Sequence, residues 1–307
     1  MIKKVSIIGS GAVGSTLAFQ VLSRLTIDEL SLLDIAADLA RGVALDLEDT
    51  RSLLGFSTRL AAGNDYAIID QSDIVIVTAG IARKEGMSRA DLLKINAAVA
   101  RDVAHQIRAR APGAIVVAVT NPLDIITYII ARETGFPRQR ILGMGASLDT
   151  ARLLGLFSHA TGCAPSALGG FAFGPHSNEM IVSGERLRVQ GEPVSKFLSE
   201  DAVKMLQERT ALRGGEIVGF LKNRSASFAP SLACCRLIEA IVHDACDVIP
   251  ISAFLSGEYG LRDICLGVPC VINRSGIARI IELELSAPER AAFIQAAANV
   301  RRDIATL

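Results

Sequence analysis

The sequence predicts an α/β fold in which a doubly wound parallel sheet is followed by a mixed α+β half. Apolar strand patterns alternate with helical patterns up to about residue 144, as in sheets whose crossover helices cover both faces. Three glycines follow the first strand at the spacing of a phosphate-binding turn. Beyond this region the alternation changes to short strands and long helices. We therefore expect two domains, residues 1–144 and 145–307.

In the first half, single strands and helices follow one another with short connections. Runs of β-branched residues, such as Asp73-Ile-Val-Ile-Val-Thr78, are typical of parallel strands that are buried on both faces. The predicted strands are 3–8, 29–34, 58–62, 73–78, 114–119 and 140–143. The predicted helices are 12–25, 36–52, 89–110 and 122–134.

The second half has a different pattern, with longer helices and shorter apolar segments. We expect a mixed α+β domain here rather than a continuation of the parallel sheet. The predicted helices are one near 147–161, two around 199–221 and 228–247, and a terminal helix from Pro288. Short alternating segments lie at 167–173 and 185–190, and two short strands are predicted near 263–273.

The glycine turn after the first strand indicates a dinucleotide site. Gly9, Gly11 and Gly14 are followed by a helix pattern, and these glycines permit a tight turn, close approach of a pyrophosphate and close packing of helix on strand. Asp34 follows the second strand, twenty residues after Gly14, where a carboxylate can hold the ribose hydroxyls and repel a 2′-phosphate. The pattern therefore favours NAD over NADP. A turn of purely structural use is the alternative.

The composition excludes several classes of function. The formal net charge is zero, with 32 basic and 32 acidic residues, so nothing suggests nucleic acid as a partner. No apolar run approaches the ~20 residues that cross a bilayer, and no targeting segment is recognisable. The six cysteines lack the spacing of a metal site. We expect reduced thiols, no metal and a cytoplasmic location.

Two arginines follow the fourth predicted strand. Arg83 and Arg89 lie in a loop with Gly80 and Gly86, and loops at the carboxyl ends of parallel strands commonly bind ligands. Two guanidinium groups suit a small ligand with several negative oxygens, because each can bind a carboxylate through two hydrogen bonds. A solvated, charged surface loop is the alternative.

The beginning of the second half carries candidate catalytic groups. Asp149 and Arg152 are three residues apart, which places them on one face of a helix. An exposed ion pair of small energy is the alternative. His176 precedes a Ser-Asn pair after a short strand pattern, where its side chain can face a cleft. A structural histidine is its alternative.

Taken together, these motifs resemble the lactate/malate dehydrogenase family over essentially the whole chain, most closely the malate dehydrogenases of the lactate-dehydrogenase-like type. The resemblance is carried by the glycine turn with Asp34, the arginine loop, and the segments Thr120-Asn121-Pro122-Leu-Asp124 and Leu148-Asp149-Thr-Ala-Arg152. His176, Glu258-Tyr259-Gly260 and Gly267-Val-Pro269 complete it. Several motifs in one order make the match specific.

The resemblance implies a role for each residue. His176 accepts or returns the proton of the substrate hydroxyl, and Asp149 orients its imidazole. Arg152 binds the C1 carboxylate, Asn121 bonds near the reacting oxygen, and Arg89 polarises the carbonyl when the loop closes.

For the cofactor, the resemblance implies that NAD is bound by Gly9, Gly11, Gly14, Asp34, Asn96 and Asn121. A homodimer or homotetramer is expected on the same ground.

Arg83 matches the position that meets the second carboxylate of the substrate, where lactate enzymes typically carry glutamine. Malate and oxaloacetate are therefore expected as substrates. One departure concerns the usual His-Gly-Asp, which here is His176-Ser177-Asn178. Two alternatives stay open: an L-lactate or other 2-hydroxyacid dehydrogenase, and an NAD-binding protein with a structural or regulatory role and no catalysis.

Overall fold

A computed structural model describes residues 2–81, 87–222 and 224–307, with the side chain of Arg89 outside the description. Its first six strands are β1 (Lys4–Ile8), β2 (Glu29–Leu33), β3 (Arg59–Gly63), β4 (Ile74–Val77), β5 (Ile115–Ala118) and β6 (Ile141–Gly143). The helices associated with them are α1 (Ala12–Arg24), α2 (Ala37–Asp49), α3 (Arg51–Leu54), α4 (Arg89–Arg110) and α5 (Leu123–Thr134). The predicted helix 36–52 is thus two helices.

The remaining elements follow β6. The helices are α6 (Gly145–Thr161), α7 (Glu200–Leu221), α8 (Phe228–Val242) and α9 (Ala287–Ile304). The short strands are β7 (Leu168–Gly169), β8 (Ala172–Phe173), β9 (Ile181–Val182), β10 (Arg188–Val189) and β11 (Glu192–Pro193). The last strands are β12 (Asp247–Ser256), β13 (Arg262–Asn273) and β14 (Gly276–Ile280).

The main sheet has the order β3-β2-β1-β4-β5-β6-β12-β13-β14 among the described residues. The six strands of the first half are all parallel, and the strand order reverses between β1 and β4. Ligands of such sheets bind at this reversal, outside the carboxyl ends of the strands. The predicted fold class is therefore confirmed, and its topology places the glycine turn at the expected binding edge.

Two predictions for the region after residue 240 are wrong. The predicted helix 228–247 ends at Val242, and the unpredicted β12 follows it. Asp244 and Cys246 have φ values of 54° and 56°, so left-handed backbone ends the helix without the glycine that usually signals such an end. The two short strands predicted near 263–273 are one long strand, β13.

The sheet extends across the predicted domain boundary. Antiparallel β12 pairs with parallel β6 at Ser252 and Gly143, and one apolar core includes residues of both halves, from Val5 to Val300. A smaller core lies between α6, α7 and the short strands. The boundary at residue 144 stays a prediction. None of the described helices is long and apolar enough to cross a membrane.

Candidate active site

The glycine turn forms an open cradle at the N-terminus of α1. Gly9 has φ 106°, and a Cβ there would lie 2.6 Å from Oγ1 of Thr78. A Cβ on Gly14 would overlap the carbonyl oxygen of Gly9, whereas nothing lies within 4 Å of one on Gly11. The backbone is thus tight on the protein side and open on the ligand side, as the approach of a pyrophosphate requires.

Two main-chain amides hold the carboxylate of Asp34 in place. Its Oδ2 accepts a hydrogen bond from the Ser10 amide at 2.7 Å, and its Oδ1 accepts one from the Ala36 amide at 3.0 Å. The Ser10 hydroxyl is buried and has no hydrogen-bond partner among the described residues. A free hydroxyl beside the cradle and a fixed carboxylate fit the phosphate and ribose of NAD.

Asn96 and Asn121 meet through the main chain. The buried Asn96 side chain donates to the carbonyl of Asn121 at 2.7 Å and to that of Ile81 at 3.1 Å, and it accepts from the Ile81 amide at 2.9 Å. Asn96 therefore ties the start of the arginine loop to the Asn121 segment, and its predicted contact with NAD stays a prediction. Asn121 is exposed, so its side chain is accessible to a ligand.

His176, Asp149 and Arg152 come together at the start of α6. Nδ1 of His176 lies 2.6 Å from Oδ2 of Asp149, and Nη1 of Arg152 lies 3.3 Å from the other carboxylate oxygen. Asp149 is 1 % exposed, so its charge is compensated by these two partners. The alternative of an exposed ion pair between Asp149 and Arg152 does not fit this burial.

The carboxylate fixes the chemistry of the imidazole. An ionised carboxylate only accepts hydrogen bonds, so Nδ1 of His176 donates to Asp149, and Nε2 has no hydrogen-bond partner among the described residues. Burial, the largest effect, disfavours the imidazolium, but the charge and hydrogen bond of Asp149 and the charge of Asp124 favour it, and together they raise the pKa of His176. The ring can therefore exchange a proton through Nε2.

Close packing places His176 against α6. A Cβ on Gly145 would lie 2.7 Å from the Cβ of His176, so only glycine lets the helix start approach the histidine this closely. The preceding Gly174 exchanges two main-chain hydrogen bonds of 2.8 Å with Gly267 of β13. The segment that carries His176 is thus docked between α6 and the sheet.

The Ser177-Asn178 departure fits the local backbone. Ser177 is not among the described residues with positive φ, so this position does not require glycine. Its hydroxyl accepts from the Glu179 amide at 3.1 Å, its carbonyl accepts from the Met180 amide at 3.1 Å, and Asn178 is exposed. The turn is closed by its own hydrogen bonds.

Two structural residues of the site had no predicted role. Gly145 permits the approach of His176, and Asp124 accepts a hydrogen bond from the His176 amide at 2.7 Å. Asp124 offers a signal in the sequence, since it is an acidic residue beside the apolar run Ile125-Ile126 in a helix pattern. Such a residue is buried only where it has partners.

Part of the arginine loop lies outside the described residues. Arg83 lies outside the described residues, and so does the side chain of Arg89, whose backbone begins α4 after a capping box formed by Ser88 and Asp91. Within the described part of the chain, no group of three or more histidine, cysteine or acidic side chains is placed to hold a metal ion.

Comparison with known proteins agrees with the geometry. Residues 3–143 match the lactate/malate dehydrogenase NAD binding domain, and residues 146–307 match the lactate/malate dehydrogenase alpha/beta C-terminal domain. A malate dehydrogenase of Thioalkalivibrio sulfidiphilus is 40 % identical over 302 residues, which cover 98 % of both chains.

Solved structures show the same similarity. Malate dehydrogenase of Cryptosporidium parvum superposes with a TM-score of 0.96 at 33 % identity, over 100 % of this chain and 99 % of the other. A lactate dehydrogenase of the same organism, complexed with lactic acid and nicotinamide adenine dinucleotide, gives 0.95 at 30 % identity and covers 100 % and 98 %. The chain, with its NAD-binding cradle and its histidine-aspartate-arginine cluster, thus belongs to the lactate/malate dehydrogenase family.

Proposed function

We propose that the chain is an NAD-dependent malate dehydrogenase that interconverts (S)-malate and oxaloacetate. The observation that carries the proposal is the cluster in which Asp149 holds both the imidazole of His176 and the guanidinium of Arg152. A 2-hydroxy acid has a hydroxyl and a carboxylate on adjacent carbons, so a proton acceptor beside a carboxylate binder matches its reacting end. The curated relatives named malate dehydrogenase support the same substrate.

His176 is the proposed proton carrier. In malate oxidation its neutral imidazole accepts the hydroxyl proton at Nε2, and in oxaloacetate reduction its imidazolium returns the proton to the carbonyl oxygen. Because its pKa is raised, the protonated form required for reduction persists to higher pH. Reduction should therefore slow as pH rises through that pKa, whereas oxidation should accelerate.

The substrate carboxylates require cationic partners. Arg152, whose side chain is 12 % exposed and pairs on one side with Asp149, is proposed to bind the C1 carboxylate. Asn121 is proposed to bond near the reacting oxygen, and Arg89 to polarise it. Arg83 is proposed to bind the C4 carboxylate, which malate has and lactate lacks.

A bound nicotinamide cofactor would supply the hydride chemistry at C2 of the substrate. The chain contributes the cradle of Gly9, Gly11 and Gly14 for the pyrophosphate and the oriented Asp34 for the ribose. The cofactor chemistry itself is that of the nicotinamide ring, so the task of the protein is to position the substrate and move the proton.

The test of this function is the ratio of kcat/KM for oxaloacetate to that for pyruvate, each with NADH. A charge-assisted hydrogen bond contributes ~1.5–3 kcal/mol, so a second carboxylate held by two such bonds should favour oxaloacetate by roughly two to four powers of ten. A preference for pyruvate would instead establish a lactate-type enzyme. Binding of NADH without turnover of either acid would support a non-catalytic role.

A second prediction concerns the choice of cofactor. We expect Asp34→Ser to raise the KM for NADH by about 10-fold to 100-fold, because the lost carboxylate bond is worth ~1.5–3 kcal/mol. The preference for NADH over NADPH should fall with it, since the charge that repels the 2′-phosphate is gone. Steady-state kinetics with both cofactors measures both effects.

Asp65→Ser is the matched control for the Asp34 variant. Asp65 also caps a turn with its carboxylate, which accepts from the Ala67 amide at 2.8 Å, but no cofactor role is proposed for it. Its variant should keep the NADH preference of the parent. An unchanged preference in Asp34→Ser would contradict the assignment of Asp34.

We propose a homodimer or homotetramer in the cytoplasm. Three apolar residues of α2 differ in exposure: Leu47 is buried in the core, Val43 is half-buried, and Leu45 is 68 % exposed. Leu53 on the adjoining α3 is 84 % exposed. Exposed leucines on neighbouring helices favour a contact between copies, which light scattering can measure.

A further inference from the structure

A buried carboxylate outside the catalytic cluster contacts the main chain of the segment that carries His176. Asp124, in the first turn of α5, is 5 % exposed. Its Oδ2 accepts a hydrogen bond from the main-chain amide of His176 at 2.7 Å, and its Oδ1 accepts one from the hydroxyl of Ser252 at 2.6 Å. None of the proton or hydride steps proposed above uses this group.

We propose that Asp124 is a positioning residue that holds the His176 segment from its main-chain side and supplies a second negative charge behind the imidazole. The proposal rests on the function proposed above. Asp149 then fixes the ring through Nδ1, and Asp124 fixes the backbone from which the ring projects. Two carboxylates on two helices restrain one histidine.

The position of Asp124 between three segments supports this role. Asp124 joins three segments that are far apart in sequence: α5, β12 through Ser252, and the loop that carries His176. It lies three residues after Asn121, so one short segment carries both a proposed substrate contact and a restraint on the proton carrier. A shift of Asp124 would move these two groups relative to each other, and small displacements of reacting groups lower the reaction rate strongly.

The free-energy cost of burying the Asp124 carboxylate supports the same role. A carboxylate in an apolar interior is retained only if it is well partnered. The start of α5 provides a favourable helix dipole for the charge, and the His176 amide and Ser252 hydroxyl provide the two hydrogen bonds. An apolar residue could fill this space, but it would leave the His176 amide without its acceptor.

The electrostatic surroundings define the effect on the ring. Burial, the largest effect, raises the pKa of Asp124 to about 6, while the bonds from Ser252 and His176 act in the opposite direction. Asp149 on α6 also raises it, and the buried thiol of Cys265 on β13 has its own pKa raised in part by Asp124. Above about pH 6 Asp124 therefore carries charge and favours the imidazolium of His176.

Other charges face the imidazole as well. Asp149 acts in the same direction as Asp124, whereas the guanidinium of Arg152 disfavours the imidazolium. Because Asp124 and His176 interact, their titrations are coupled. The titration of the His176 ring should therefore show a second inflection near pH 6, where Asp124 ionises.

The test is Asp124→Asn, which keeps the shape and one acceptor oxygen but removes the charge. We expect the titration of the ¹³Cε1 signal of His176, followed by NMR, to move to lower pH and to lose the inflection near pH 6. The four histidines of the chain give few signals, and His176→Gln identifies the relevant one. This readout does not depend on which substrate the enzyme uses.

Kinetics supply the second readout. In Asp124→Asn, kcat for oxaloacetate reduction should fall about 10-fold to 100-fold, with a smaller change in KM, and the loss of activity at alkaline pH should begin at lower pH. Glu29→Gln is the matched control, because Glu29 is also a buried carboxylate bonded to a hydroxyl, that of Ser31 at 2.9 Å, but lies at the amino end of β2.

The outcomes separate the explanations. If Asp124→Asn and Glu29→Gln lose comparable thermal stability and both keep the parental His176 titration, Asp124 is only structural and the proposal is overturned. If Asp124→Asn does not fold, Ser252→Ala replaces it, and an unchanged inflection near pH 6 there would overturn the proposal. A parent chain that reduces neither acid overturns the proposed function, while the His176 titration still tests Asp124.

Discussion

Replacing His176 by glutamine should lower kcat for both malate oxidation and oxaloacetate reduction by about 10²–10⁴-fold, the usual contribution of a positioned acid or base. Glutamine can still hydrogen-bond to Asp149, but it cannot carry a proton at neutral pH. NADH binding, followed by fluorescence, should stay near the parental value, because the cradle lies at the end of β1 and not on the histidine segment. The loss should therefore appear in kcat.

His105→Gln is the control for this variant. Nε2 of His105 also lies near a carboxylate, 3.1 Å from Glu133, but the pair is on the surface. Its loss should leave both kcat values within about twofold, since exposed ion pairs contribute little. Equal effects of the two substitutions would contradict the assignment of His176 as proton carrier.

Replacing Arg83 by glutamine should lower kcat/KM for oxaloacetate by roughly two to four powers of ten while leaving that for pyruvate nearly unchanged. Glutamine keeps hydrogen-bonding capacity but loses the charge and the paired donors that bind a carboxylate. Pyruvate has no second carboxylate, so it loses nothing when Arg83 is removed. The ratio of the two kcat/KM values measures the effect directly.

Two controls make the Arg83 result specific. Lys84→Gln removes a charge from the next position in the sequence and should leave the ratio unchanged. Arg152→Gln should lower kcat/KM for both acids together, because both have the C1 carboxylate and because the substitution leaves Asp149 with one partner fewer. Equal losses for both acids in Arg83→Gln would show that Arg83 does not read the second carboxylate.

The parallel sheet and the cofactor turn could be predicted because their signals are local. Six of the predicted strands match observed ones. The glycine spacing predicted a tight turn, and the backbone at position 9 does require glycine. By contrast, β12 was missed because the end of α8 depends on left-handed Asp244 and Cys246. Because neither residue is a glycine, nothing in the sequence indicated a helix end there, and the apolar pattern predicted that the helix continued.

The contacts of the site also divide into local ones, which could be predicted, and long-range ones, which could not. Asp149 and Arg152 are three residues apart, so helical periodicity predicted their shared face. The contact between Asp149 and His176 spans 27 residues, and the one between Asp124 and His176 spans 52. No periodicity reports on such distances, so a family resemblance suggested the first contact and nothing suggested the second.

The sequence by itself determined the α/β class, the NAD-binding turn and the residue types of the site, because strand patterns, turn glycines and helical spacing depend on neighbours in the chain. Only the tertiary structure decided that β12 to β14 extend the parallel sheet, that Gly145 admits His176, and that Asp124 is buried behind it. The physical reason is that burial and long-range hydrogen bonds depend on which segments pack together. A local pattern contains no information about those partners.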